Sequence, residues 1–171
     1  LADSRFVEQD ALTRTYRVGL RAFTVGSAFL SGDILVREAK PELQELSDKH
    51  GLNSYLAVRR GKSVVYLVTC QSSGPITIKS APGALSYLHS TSLGKALLCD
   101  LPIEEIQRLL GPEPYRKLTT RTKIRLAPLL RELHSATRNG TVVCDEENLV
   151  GVFAIGAPLW DANGQTIAAI S

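Results

Sequence analysis

The sequence has no methionine, a single tryptophan and only three cysteines among its 171 residues. Cys70, Cys99 and Cys144 are an odd number without C-x-x-C spacing, so neither a disulfide framework nor a zinc site is indicated. We expect all three to be thiols in a reducing compartment. Because the chain starts at Leu1 and lacks methionine throughout, we expect it to be part of a longer protein.

Long apolar runs and targeting signals are also missing. No apolar run reaches the roughly 20 residues that a membrane-spanning helix needs. The first ten residues, LADSRFVEQD, have neither the basic start nor the apolar stretch of a secretory signal peptide. With 44% hydrophobic and 22% charged residues, the composition is typical of a globular domain. We therefore expect a cytoplasmic protein with no membrane partner.

Positive charge is present but not concentrated. The net charge is +3, and the densest basic groups are the Arg59-Arg60 pair and a loose set between Arg116 and Arg125. A surface that binds nucleic acid usually gathers its charge on one face or one helix. This pattern excludes a DNA-reading module within the chain itself.

Hydrophobic periodicity and turn residues predict two helices, three strands, three helices and three strands. Residues 1–17 are expected to form one or two short extended pieces, and Pro41 is expected to kink or split the second helix. The predicted helices are 18–30, 33–50, 93–98, 103–110 and 123–138, and the predicted strands are 54–59, 63–70, 75–79, 141–144, 150–160 and 165–170. Strands that are mostly hairpin-linked, on both sides of a helical insert, favour an α+β fold with a GAF- or PAS-like antiparallel sheet and helices packed on it.

A ligand pocket is predicted between this sheet and the helix at 93–98. The loop 80–92 is dense in Gly, Pro and Ser and leads directly into that helix. The start of a helix offers unpaired N–H groups and the positive end of the helix dipole, which suit a carboxylate or another anion.

Metal and cofactor sites have little support in the sequence. Asp145, Glu146 and Glu147 could hold Mg²⁺ or Ca²⁺, but no D-x-D-x-D-G loop surrounds them, so we interpret them as a solvated turn with one inward-facing member. The three histidines are too widely spaced for a metal motif. We expect neither a metal nor a cofactor.

A catalytic nucleophile would have to come from Cys144, Cys99, Ser90 or Ser92. Only His89 lies beside hydroxyl groups in the sequence, and no G-x-S-x-G elbow is present. We therefore expect no enzymatic activity and interpret His89 as a loop or pocket-rim residue.

Three segments together resemble one known family. They are TRTYRVGLRAFTVGSAFL, YLHSTSLGKALL and DEENLVGVFAIGAPLWDANGQTIAAIS. In this order and spacing they are similar to the effector-binding domain of the isocitrate lyase regulator (IclR) family of bacterial transcription factors. The resemblance implies a metabolite-sensing domain that controls a catabolic operon, operator DNA bound through an N-terminal winged helix-turn-helix outside this chain, and a homodimer or homotetramer.

The resemblance also implies a division of the chain. Residues 1–17 would be the tail of the winged helix-turn-helix domain, residues 18–32 the linker helix, and residues 33–171 the effector-binding domain. Family members continue beyond the point that corresponds to Ser171, so we expect a domain that is truncated at its C-terminus.

The site residues follow from the same resemblance. A ligand carboxylate would meet the backbone amides of Ser92 and Leu93, and the polar side chains that line the family's site correspond to Cys144, Ala154 and Ser171. His89 and Leu97 complete the set of residues that we expect at the effector site. Because Cys144 and Ala154 stand where relatives that bind small oxo-acids have Asp and Cys, we expect a larger or more apolar effector, such as an aromatic acid.

Two other functions stay open at this stage. One is a GAF- or PAS-like sensor attached to a different output, which the residues preceding Leu1 would distinguish. The other is a small enzyme that uses Cys144 or Ser92, which turnover of a candidate ligand would reveal.

Overall fold

The computed structural model describes residues 5–72 and 80–171, apart from the side chains of residues 135 and 136. Within these ranges the chain forms eight strands and five helices. In chain order they are β1 (Val7–Gln9), β2 (Tyr16–Val18), α1 (Leu20–Gly32), α2 (Ile34–His50), β3 (Ser54–Arg60), β4 (Ser63–Cys70), β5 (Leu85–Tyr87), α3 (Ser92–Ala96), α4 (Ile103–Leu110), α5 (Leu126–Asn139), β6 (Val142–Asp145), β7 (Phe153–Trp160) and β8 (Thr166–Ile170). The strand predicted at 75–79 lies outside the described residues.

The chain divides into two compact units, one up to Pro41 and the other from Glu42 onward. In the first unit, β1 and β2 pair in an antiparallel hairpin, which confirms the extended pieces predicted before residue 18. The helix α1 follows and has no buried residue, so Leu20, Phe23 and Phe29 are exposed on it.

The second unit is built on a six-stranded antiparallel sheet in the order β5-β4-β3-β8-β7-β6. The last strand of the chain, β8, lies between β3 and β7 and thereby joins the early hairpin to the late one. This mixed architecture confirms the predicted α+β fold class, with helices packed on an antiparallel sheet.

The core lies on the face of the sheet that α3, α4 and α5 cover. Leu93 and Leu98 come from α3 and the turn after it, and Leu129 comes from α5; all three are almost completely buried among the side chains of β3 and β4. Burying a leucine side chain contributes about 1.5–3 kcal/mol each. The core therefore holds α3 against the sheet.

Three expectations from the sequence were wrong in whole or in part. The helix α2 is not split at Pro41, because its buried side chains, Val36, Leu43 and Ser47, share one helix face and offset the hydrogen bond that proline cannot make. The strand β5 lies within the predicted loop 80–92, where three residues at a sheet edge leave no alternating pattern. The helix α5 begins at Leu126, three residues later than predicted, where the Glu113 carboxylate accepts a hydrogen bond from the Leu126 N–H.

A completely buried lysine ties α3 to its surroundings. The ammonium of Lys95 donates to Glu147 Oε1 at 2.6 Å, to Glu132 Oε2 at 2.7 Å and to the carbonyl oxygen of Val143 at 2.6 Å. Because its three N–H groups meet three acceptors, the charge is both paired and fully hydrogen-bonded. The contacts join α3 to α5, to β6 and to the loop after β6.

Lys123 completes this cluster, since its ammonium lies 2.9 Å from Glu132 Oε1 and 3.1 Å from Glu147 Oε1. Two lysines thus balance two glutamates. Burial alone would raise the pKa of Glu132, but the hydrogen bonds and positive charges of Lys95 and Lys123 outweigh it and hold that pKa below its usual value.

The acidic segment after β6 is a turn with one inward-facing member, as the sequence predicted. Asp145 and Glu146 are partly exposed and both pair with Arg121. Glu147 is only 1% exposed and belongs to the buried cluster, in which its second carboxylate oxygen has no hydrogen-bond partner. Among the described residues, no group of three or more His, Cys, Asp or Glu is placed to hold a metal ion.

Two glycines let backbone pack directly on backbone around α3. A Cβ atom at Gly94 would lie 2.5 Å from the carbonyl oxygens of both Tyr87 and Leu88. A Cβ atom at Gly156 in β7 would lie 2.6 Å from the carbonyl oxygen of Ser92. Any side chain at either position would push α3 away from its neighbours.

We expect Gly94→Ala to lower the free energy of unfolding by about 1–3 kcal/mol, because the methyl group has no space. The matched control is Gly26→Ala in α1, where an added Cβ meets nothing within 4 Å. That change should be neutral or stabilising by about 0.5–1 kcal/mol. Urea unfolding of both variants checks this, and equal effects would contradict it.

Replacing Lys95 by methionine should lower the free energy of unfolding by about 3–5 kcal/mol, because it leaves Glu132 and the buried Glu147 with the single positive charge of Lys123 between them. The double variant Lys95→Met, Glu147→Leu should recover part of this loss, since it removes one of the carboxylates as well. Lys117→Met, at an exposed position, is the control and should change stability by less than about 0.5 kcal/mol. Thermal and urea unfolding measure the stability of all three variants. If the single variant Lys95→Met lost less than about 1 kcal/mol, the cluster would contribute little to the free energy of unfolding.

The lowered pKa of Glu132 has a consequence for acid stability. A carboxylate whose pKa is depressed by folding contributes stability above the pKa of a free glutamate, about 4.3, and this contribution is lost as the pH falls through the folded-state pKa. We therefore expect wild type to exceed Glu132→Gln in melting temperature at pH 7 and the difference to shrink as the pH falls below about 4. Glu45→Gln, on the exposed side of α2, is the control. A difference between wild type and Glu132→Gln that does not change with pH would contradict the assignment.

Candidate functional site

A cavity of ≈ 640 Å³ lies where β3 and β7 begin and β8 ends. Among the described residues its wall contains no Asp, Glu, Lys or Arg, and His50 is its one histidine. The lining residues are Leu43, Leu46, His50, Gly51, Leu52, Asn53, Ser54, Tyr55, Ser72, Gly151, Val152, Phe153, Ala154, Ile155, Gly156, Ala157, Ile170 and Ser171.

Strand alternation separates the cavity wall into two sides. Tyr55 packs in the core that α3 covers, and Ala154 is paired with Cys144, whose thiol contacts the loop before α3. Successive side chains of a strand point to opposite faces, so Phe153 and Ile155 project to the other side, the side of α2. The cavity wall therefore includes residues whose side chains lie on both faces of the sheet.

Ser92 joins the cavity wall to the start of α3. Its hydroxyl lies 2.8 Å from the hydroxyl of Ser171, and its carbonyl packs against Gly156. Thr91 caps the helix by accepting a hydrogen bond from the Gly94 N–H. The N–H groups of Ser92 and Leu93 donate to no described backbone carbonyl. Ser92, Ala154 and Ser171 are thus brought together.

Tyr55 is a site residue that the sequence did not reveal. Its hydroxyl is buried and has no hydrogen-bond partner among the described residues; the Asn53 side chain approaches it without normal hydrogen-bond geometry. Burial raises the pKa of Tyr55, and the nearby Tyr66 ring, 5.6 Å away, adds to this. The alternation of β3 was the available signal, because it places Tyr55 on the face that α3 covers.

Cys144 lies behind the cavity wall and is not suited to nucleophilic chemistry. Its Sγ–H donates a hydrogen bond to the carbonyl oxygen of Ser90 at 3.1 Å. Burial, together with the negative charge of Glu147, raises the pKa of the Cys144 thiol. Only a thiolate is a good nucleophile, so this thiol is inert at neutral pH.

The structure does not bring His89 and Leu97 to this cavity. Leu97 is part of the hydrophobic core. His89 Nε2 lies 2.9 Å from the carbonyl oxygen of Arg116, to which it donates, and the ring packs beside Tyr115. Burial lowers the pKa of His89, so the imidazole is neutral at pH 7.

The arrangement suits binding more than chemistry. Tyr55 and Ser171 are among the residues of a largely apolar cavity wall, to which no described side chain contributes a carboxylate or an ammonium group. Within the part of the chain that the structure describes, none of the helices combines the length and apolar character needed to cross a membrane.

Comparison with known proteins identifies the family. A family model described as the bacterial transcriptional regulator IclR C-terminal region matches residues 27–171. The HTH-type transcriptional regulator BhcR of Paracoccus denitrificans is 32% identical over 171 residues, which are 100% of this chain and 61% of that protein. The HTH-type transcriptional repressor AllR of Escherichia coli K12 is 29% identical over 166 residues, which are 97% of this chain and again 61% of the relative. The chain thus spans about three fifths of the length of these relatives.

Solved structures agree with this. The Thermotoga maritima IclR structure superimposes with a TM-score of 0.81 at 27% identity and covers 99% of this chain and 68% of that one. The inducer-binding domain of PobR from Acinetobacter, solved as a double mutant in complex with 3-hydroxybenzoic acid, gives a TM-score of 0.70 at 25% identity over 78% of this chain and 79% of that one. The chain therefore belongs to the IclR family of bacterial transcriptional regulators and matches its C-terminal domain.

Proposed function

We propose that the domain senses a small organic acid and thereby controls a transcriptional regulator of which it is a part. The observation that carries the proposal is Tyr55, a residue of the wall of the 640 Å³ cavity whose hydroxyl is buried and has no hydrogen-bond partner among the described residues. A buried polar group without a partner costs free energy, which a ligand that supplies the hydrogen bond recovers.

Two sets of groups would recognise the effector. The hydroxyls of Tyr55 and Ser171, with the N–H groups of Ser92 and Leu93 at the start of α3, suit a carboxylate. The apolar wall suits a hydrophobic body, because no Asp, Glu, Lys or Arg among the described residues lines it. We infer an aromatic or otherwise apolar acid, larger than glyoxylate or pyruvate. The 3-hydroxybenzoic acid in the PobR domain makes such a compound a reasonable first probe.

The remaining assignments belong to this proposal. Residues 1–17 are the tail of a winged helix-turn-helix domain, residues 18–32 are a linker helix, and residues 33–171 form the effector domain. Operator DNA binds through the winged helix-turn-helix, in a cytoplasmic homodimer or homotetramer. Effector binding shifts the equilibrium between arrangements of the DNA-binding domains, and no chemistry is done on the effector.

Removing the Tyr55 hydroxyl tests the site directly. We expect Tyr55→Phe to weaken 3-hydroxybenzoate binding by about 10- to 150-fold, the value of one lost hydrogen bond to a charged group, and to leave stability unchanged or slightly raised. Isothermal titration calorimetry measures the affinity and urea unfolding the stability. The matched control is Tyr16→Phe, at an exposed position in β2, which should change neither. Equal affinities of Tyr55→Phe and wild type would refute the placement of the ligand.

A comparison of ligands tests the effector class. We expect 3-hydroxybenzoate to raise the melting temperature of the wild-type chain more than glyoxylate or pyruvate at equal concentration. Only the aromatic acid has a hydrophobic body that contacts the apolar wall of the cavity. Ala154→Leu should reduce this shift by narrowing the cavity, whereas Ala162→Leu, in the exposed turn between β7 and β8, should not. Tight binding of glyoxylate or pyruvate, with no response to aromatic acids, would overturn the assignment.

A further inference from the structure

A second cavity, of ≈ 210 Å³, lies near the opposite edge of the sheet, where β5, the end of α4 and the segment around Tyr115 meet. It shares no lining residue with the 640 Å³ cavity. Leu109 and Leu110 of α4 form its apolar floor, and two cationic side chains, Lys62 and Arg116, are part of its wall. We call it the Arg116 cavity.

The aromatic side chains of the Arg116 cavity are already ordered. The guanidinium of Arg116 lies 5.4 Å from the centre of the Tyr87 ring, in a cation–π contact that fixes its position. The His89 ring packs edge-on to Tyr87 at 5.7 Å and lies 5.5 Å from Tyr115. Three rings and one guanidinium therefore pack against one another beside this cavity, so that little side-chain freedom remains to be lost when a ligand binds.

The positive charge of this cavity is not balanced. Among the described residues, no carboxylate lies within ion-pair distance of Lys62 or Arg116. The neighbouring carboxylates are engaged elsewhere, because Glu105 pairs with Arg59 and Arg108, and Glu113 accepts the N–H of Leu126. Since the pKa of His89 is lowered by burial, this ring adds no charge of its own. The charge of the Arg116 cavity is that of two cations beside an aromatic and apolar surface.

We propose that the Arg116 cavity is a second ligand site, which binds a small planar organic anion such as an aromatic carboxylate. The carboxylate lies between the ammonium of Lys62 and the guanidinium of Arg116, and the ring packs between Tyr87, Tyr115 and the two leucines of α4. The volume of ≈ 210 Å³ is sufficient for a ligand with one ring. The proposal does not depend on the function assigned to the larger cavity.

Benzoate is the probe, and neutral benzamide, which has the same shape, is the matched ligand. In an NMR titration of the 171-residue chain, benzoate should shift the ring signals of Tyr87, His89 and Tyr115 in a saturable manner. Arg116→Gln should weaken this binding about 10-fold and Lys62→Gln about 3-fold, because each removes a charge-assisted contact. Benzamide should bind wild type about 10-fold more weakly than benzoate for the same reason.

Lys117→Gln is the matched control, since it removes the same charge one residue away at an exposed position that does not line the cavity. It should change benzoate affinity by less than about twofold. Equal losses in Arg116→Gln and Lys117→Gln would overturn the proposal, because they would show a general effect of net charge. The absence of saturable shifts at the three rings, or shifts confined to Tyr55 and the larger cavity, would overturn it as well.

Discussion

The position of α3 depends on a positive charge placed where water cannot reach it. An unpaired ammonium in such a place would be very costly, and Lys95 is tolerated because three acceptors from three different parts of the chain meet it. The buried carboxylate of Glu147 is tolerated in the same way, because Lys95 and Lys123 contact it and balance its charge. None of these groups can be buried before the others, so α3, α5 and the turn after β6 must assemble together.

This joint assembly places the candidate effector site. Lys95 is the fourth residue of α3, and the same short helix begins at Ser92, which touches Ser171. The strand β6 that accepts from Lys95 also carries Cys144, which contacts the loop before α3. The polar side of the larger cavity is thus held by a charge cluster outside the cavity wall. A ligand there meets groups whose positions are already determined, and little binding energy is lost in ordering them.

The sequence predicted the sheet and the start of α3 well, because alternation, helical spacing and cap residues are local signals. It also predicted that one acid of the 145–147 segment faces inward. It did not predict that this acid, Glu147, pairs with Lys95, because the two residues are far apart in sequence and no local pattern links them. Tyr55 was missed because a tyrosine in an apolar strand has the same sequence pattern as any core residue. Only the three-dimensional structure shows that its hydroxyl has no hydrogen-bond partner among the described residues. The short strand β5 was missed because three residues carry too little pattern.

The contact between Gly156 and Ser92 is made mainly by backbone atoms, because Gly156 has no side chain and the carbonyl group of Ser92 lies against it. The gap between α3 and β7 is therefore a property of the backbone, and it stays the same whatever residues line the cavity beside it. Substitutions at neighbouring positions such as Ala154 can change the size and polarity of the cavity without moving the helix. A scaffold of this kind can diversify in ligand preference through single mutations while its architecture is left intact.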